Sequence, residues 1–135
     1  MTEKDLYEYI RRDREVKRKI AEYKELGARM ASPKSCNLTS IPGGNGDDEA
    51  FMVIMDTRSK LLSEIRECEA LRYIAKHRLD RVSNELFDNL DIQIFDYIFR
   101  DGLEISDVAK KISYSESSIY KRRKGILAIA NNIPK

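Results

Sequence analysis

Two long stretches of this chain repeat their apolar residues every three or four positions. That spacing leaves little alternative to long helices lying side by side. In the first, from about Lys4 to Met30, Leu6, Tyr9, Val16, Ile20, Tyr23 and Met30 fall on one stripe, and the other faces are crowded with Arg, Lys and Glu. Asp13 and Gly27 interrupt the stripe where a coiled coil is apolar. In the second, from about Glu49 to Phe87, Ile54, Leu61, Ile65, Cys68, Ala75, Leu79, Val82 and Leu86 recur at the same spacing. Leu62 and Leu71 widen that face, and Arg72 falls in the seam, where its stem is expected to lie with the charge outside. Phe51, Met52, Val53 and Met55 cluster at its start and are expected against the first helix. Neither helix buries its seam alone, so an antiparallel, coiled-coil-like hairpin is expected, with leftover seam available to a second copy.

Charged residues make up 36% of the chain and Trp is absent, a composition that favours long exposed helices over a sheet-based core. Between the two stretches, residues 31–50 break the pattern. Pro33 ends the first helix, because the residue before a proline avoids the α region. Pro42, Gly43, Gly44 and Gly46 supply turn chemistry, and Asp47 or Asp48 is expected to cap the next helix. The GGNG run lacks the GK[ST] ending and the preceding strand of a phosphate-binding loop, so no nucleotide site is expected there.

Several function classes drop out on composition. Cys36 and Cys68 match no metal or redox spacing, and His77 stands without a ligand or triad partner. With no nucleophile–base pair and no metal cluster, neither catalytic nor metal-binding residues are expected, nor is a cofactor. No apolar run approaches the ~20 residues of a membrane span. Two thiols without a secretory signal suit a reducing cytoplasm.

The last third of the chain carries a different signal. From Ile105 onward, seven Lys or Arg residues face only Asp107 and Glu116, although the whole chain has a net charge of only +2. Ile92–Arg100, capped by Asn89 or Asp91, is expected to form a helix with Phe95, Ile98 and Phe99 inward, stopped by Gly102. Ile105–Ile112 forms the next, with Val108, Ala109 and Ile112 inward, and Ser113 and Tyr114 make a turn. Ser115 then caps a helix over 116–130, anchored by Ile119, Ile126 and Ala130. Two short helices joined this way have the pattern of a helix-turn-helix. The expected DNA-binding residues are Lys110 and Lys111 on the first helix, then Ser115, Glu116, Ser117, Ser118, Tyr120, Lys121, Arg122 and Lys124 on the second. Hydroxyls and helix N-terminal N–H groups hold phosphate oxygens, and Lys and Arg supply the counterion-releasing contacts that dominate affinity.

The segment GLEISDVAKKISYSESSIYKRRKGIL resembles the helix-turn-helix of sigma-factor region 4, in the version carried by phage late-gene regulators of the ArpU and RinA type. The loop SPKSCNLTSIPGGNGDD resembles the glycine-rich segment between their helices. The resemblance implies a bacteriophage or prophage protein in the host cytoplasm that binds double-stranded promoter DNA and activates late or packaging genes, with host RNA polymerase as a further partner. Two residues depart from the pattern: Glu104 stands where a capping Ser or Thr is common, and Ser113 replaces the turn glycine.

The expected architecture is therefore all-α: a helical hairpin over 1–88 that pairs copies into a dimer, then a three-helix helix-turn-helix module over 89–135. A small terminase-like packaging subunit and a helical protein-binding adaptor are the alternatives to a transcription regulator.

Overall fold

The computed structural model describes residues 1–31 and 45–135, with side chains from 1–30 and 49–135. The described residues form five α-helices: α1 (Glu3–Ala31), α2 (Asn45–Asn84), α3 (Asn89–Phe95), α4 (Ile105–Ile112) and α5 (Glu116–Asn131). A π-helical turn, Asp96–Arg100, continues α3. The long helices α1 and α2 form an antiparallel hairpin, and the shorter helices pack together after it. Residues 32–44 of the expected loop lie outside the described residues. Helix α2 begins earlier than expected, at Asn45. Acidic residues at 47–49 suit the positive end of a helix dipole and allow that early start. The capping expected of Asp47 or Asp48 falls on side chains outside the described residues.

The chain packs as two compact units, Arg14–Ala70 and Met1–Asp13 with Leu71–Lys135. In the first, Val16 of α1 is buried with Leu61, Ile65 and Cys68 of α2. Both ends of a Lys19–Glu64 ion pair, 2.9 Å apart, bracket that seam. At the interruption, Gly27 lies against the Arg58 guanidinium, which would stand 2.6 Å from a Cβ there, a contact that a shift of this long side chain relieves. Arg58 lies 4.1 Å above the Tyr23 ring and donates to the Tyr23 carbonyl. Phe51, Met52, Val53 and Met55 are exposed rather than packed on α1. At 100° per residue, positions 52, 53 and 55 turn away from the stripe through 54, 61 and 65.

The second unit holds the larger core. Leu6 of α1, Leu79 and Val82 of α2, Ile94, Phe95, Ile98 and Phe99 of α3 and its π-turn, Val108 of α4, and Ile119, Ile126 and Ala130 of α5 are all buried. Phe99 stacks between Phe95 and Tyr7, at centroid distances of 5.2 and 5.0 Å. Each such ring withdraws 150–250 Å² or so from water, the largest single contributions available to a core of this size. Charged seam positions are paired. Arg72 does not simply leave its charge outside; its guanidinium meets Asp13, the other interruption, at 3.0 Å, and Arg78 meets Glu8 at 3.1 Å.

Local signals set the ends of these helices. Thr2 and Asp5 cap α1 reciprocally: the Thr2 N–H donates to the Asp5 carboxylate at 2.9 Å and the Asp5 N–H donates to the Thr2 hydroxyl at 3.4 Å. The cap of α3 is Asp88, not Asn89 or Asp91, and it accepts from the Leu90 N–H at 2.8 Å. Gly102 adopts φ 72°, which lets the chain reverse after the π-turn. Ser113 adopts φ 58° and ψ 40°, so the position does require the left-handed region. Glu104 caps α4 through its backbone alone, with no side-chain hydrogen bond.

Two outcomes follow. A serine in the left-handed region costs roughly 1–2 kcal/mol, partly offset by the chain entropy that glycine loses. Ser113→Gly should therefore raise unfolding stability by about 0.5–1 kcal/mol in urea titration. The Thr2 backbone N–H, with help from Lys135, lowers the Asp5 pKa to about 2. Its contribution is present above the ordinary carboxylate pKa of ~3.9 and is lost as pH falls toward 2. Asp5→Asn should lose less stability than the unaltered chain across that window.

Candidate nucleic-acid interface

Helix α5 is built with one dry side and one wet side. Ile119, Ile126 and Ala130 face the core, against Val108 and Ala109 of α4. The small Ala109 side chain lets the two helices cross closely. Opposite them, Ser117, Tyr120, Lys121 and Lys124 fall within about 100° of one another around the axis, and all four are exposed. Tyr120 presents 57% of its surface. Lys110 and Lys111 are exposed on α4, where the Lys111 ammonium sits 5.5 Å from the centre of the Tyr97 ring. Lys110, Lys121 and Lys124 have no ion-pair partner among the described residues.

The four-residue basic run splits by residue type. Its lysines point to solvent, and its arginines, on the flanks of α5, bind neighbouring helices. Arg122 Nη1 donates to Asp88 Oδ2 and Asp91 Oδ1, both at 3.0 Å, which ties α5 to the start of α3. Arg123 donates to the Glu3 carboxylate and, at 3.2 Å, to the Tyr7 hydroxyl, which ties α5 to α1. Asp88 serves twice, as cap and as counterion. The Leu90 N–H and then Arg122 hold its pKa below the usual carboxylate range. Both carboxylates take Nη1, which fixes the direction of the side chain although Nε and Nη2 keep their donors, so Arg122 is placed to orient α5.

The N-terminus of α5 is open. Ser115 caps it, with its hydroxyl accepting from the Ser118 N–H at 3.2 Å and lying 2.8 Å from the Ser118 hydroxyl. This mutual contact holds both hydroxyls in place and leaves each with acceptor capacity. The N–H groups of Glu116 and Ser117 remain at the surface without helical acceptors. Glu116 lines a hollow of about 680 Å³ with Glu104, Tyr120 and Arg123. The structure thus brings all ten expected residues to exposed or half-exposed positions on α4, the turn and α5, and one of them, Arg122, makes a bridging contact.

Two residues of this surface escaped the sequence pattern. Tyr114 stands 46% exposed in the turn, beside the start of α5. Its signal was available: an aromatic side chain directly after a left-handed residue has little core to reach. Asp88 gave no comparable signal, because its partner Arg122 lies 34 positions away.

Elsewhere the chemistry is sparse. His77 is exposed and packs edge-on to Tyr73, ring centres 4.3 Å apart. Among the described residues no group of three or more His, Cys, Asp or Glu is arranged to hold a metal ion, and no helix is long and apolar enough to cross a membrane. No protein-family model, curated protein or solved structure matches the chain.

Proposed function

We propose that the chain is a DNA-binding transcription regulator of phage or prophage type, with α4 and α5 as a helix-turn-helix and α5 lying in the major groove. One observation carries this reading: the outer face of α5 presents Ser117, Tyr120, Lys121 and Lys124 together, without ion-pair partners among the described residues, beside an open helix N-terminus. Phosphate oxygens suit that arrangement, since N–H groups and lysines are donors only. Lys110 and Lys111 extend the cationic surface toward the flanking backbone. Arg122 and Arg123 act indirectly, by fixing the angle at which α5 leaves the core.

The division of labour bears on specificity. Arginine is the side chain best suited to bidentate reading of guanine, and both arginines of the basic run are engaged internally. Base discrimination then falls to Ser117, Tyr120, Glu116 and the turn residue Tyr114, with the lysines supplying most of the affinity. The assignment to late-gene or packaging-gene activation, the cytoplasm of a bacterial host and a contact with host RNA polymerase rests on the resemblance of residues 102–127 and of the loop. A dimer on a symmetric promoter site completes the proposal.

Duplex binding measured by fluorescence anisotropy at several salt concentrations tests it. Each phosphate contact contributes about 0.9 to the slope of log affinity against log salt. Lys121→Ala with Lys124→Ala should weaken binding to all sequences and flatten that slope by about 1.8. Unchanged affinity and slope in a folded double variant would remove the DNA-groove proposal. Footprinting beside the chain's own gene should protect a symmetric site whose halves lie about one helical turn apart, or a multiple. Binding by a ring assembly without site preference would instead favour a DNA-packaging subunit.

A further inference from the structure

Phe87 stands 94% exposed in the short link between α2 and α3. A ring in that position forgoes the stabilisation that burial gives the other phenylalanines of its unit. It forms one wall of a hollow of about 690 Å³, whose remaining apolar lining comes from Ile129 of α5 and from Ile133 and Pro134 just beyond it. Ile129 is itself 37% exposed. Arg81 and Glu85, four positions apart at the end of α2, form the rim with Asn84 and Asn132. All of these residues belong to one compact unit.

We propose that this face is the contact between two copies of the chain, with Phe87 of each copy seated against Ile129, Ile133 and Pro134 of the other. A two-fold contact uses the same patch on both partners, so the patch must carry both halves of each complementary pair. This one does so twice. It offers a projecting ring next to a hollow able to receive one. It also carries opposite charges four residues apart, so the axis that exchanges the rings brings Arg81 of one copy to Glu85 of the other. A partner of single charge would meet a rim of mixed sign. Hydrogen bonds to the carbonyls of Pro134 and Lys135 hold the Arg81 guanidinium at that rim. Ile129 lies about two helical turns beyond Lys121, so the contact leaves the lysine face of α5 uncovered.

Sedimentation equilibrium of the full chain without DNA tests the proposal, and its result does not depend on whether the chain binds DNA. The unaltered chain should be a dimer at micromolar concentration. Phe87→Ser removes an exposed side chain, so its circular dichroism and melting temperature should match the unaltered monomer. Its dimer dissociation constant should rise on the order of 30-fold or more, as for loss of a central aromatic anchor. Glu85→Arg sets arginines against one another across the axis and should shift the equilibrium the same way, which keeps the test valid if Phe87→Ser folds poorly. A chain that stays monomeric throughout overturns the proposal. So does a dimer that both variants leave unchanged.

Discussion

The Phe95–Phe99 pair is the contact on which the second unit depends. The two rings share one buried cluster with residues of α1, α2, α4 and α5, and Tyr7 lies 5.0 Å from Phe99. Truncating a buried aromatic of this kind costs roughly 3–5 kcal/mol, a large share of the stability of a small domain. The π-turn that carries Phe99 is itself tethered, because Arg100 reaches Asp96 at 2.8 Å and Asp80 of α2 at 2.7 Å. This core gives α5 a fixed inner side, and without it the outer face would have no defined direction.

Charge then acts at two levels. Arginines bridge elements: Arg72 to Asp13, Arg78 to Glu8, Arg100 to Asp80, Arg122 to Asp88 and Asp91, and Arg123 to Glu3. These pairs are at least partly exposed, so each contributes modestly to stability and more to geometry. The planar fork of arginine suits such fixed contacts, whereas lysine remains a hydrated point charge suited to a mobile polyanion. The four-residue run at 121–124 thus holds two anchored arginines between two exposed lysines. A basic cluster judged by its total charge would hide that division.

Much of this was legible in the sequence because it is local or periodic. The stripes at three- and four-residue spacing placed the long helices, and the inward residues Val108, Ala109, Ile119, Ile126 and Ala130 followed from the same rule. Ser113 stood out as a strained turn position only through the resemblance, where it replaces a glycine, and its φ of 58° shows that the position needs the left-handed region. What escaped is long-range or depends on angle. Asp88 and Arg122 look like unrelated surface charges until the fold brings them to 3.0 Å. The interruptions at Asp13 and Gly27 read as defects in a stripe, yet each accommodates an arginine of α2. Phe51, Met52, Val53 and Met55 are an apolar cluster in composition, but they spread around the helix and stay exposed. The packing of Met1–Asp13 with the C-terminal helices joins segments about a hundred residues apart, and no local signal encodes it.

The claim that the outer face of α5 meets duplex DNA is tested most directly by amide chemical-shift mapping of the labelled chain during titration with a promoter duplex. The account predicts that the largest shifts fall on residues 114–124 and on Lys110 and Lys111, while the amides of Phe51–Met55 stay in place. Saturable binding whose shifts fall elsewhere, with α5 unperturbed, would contradict it.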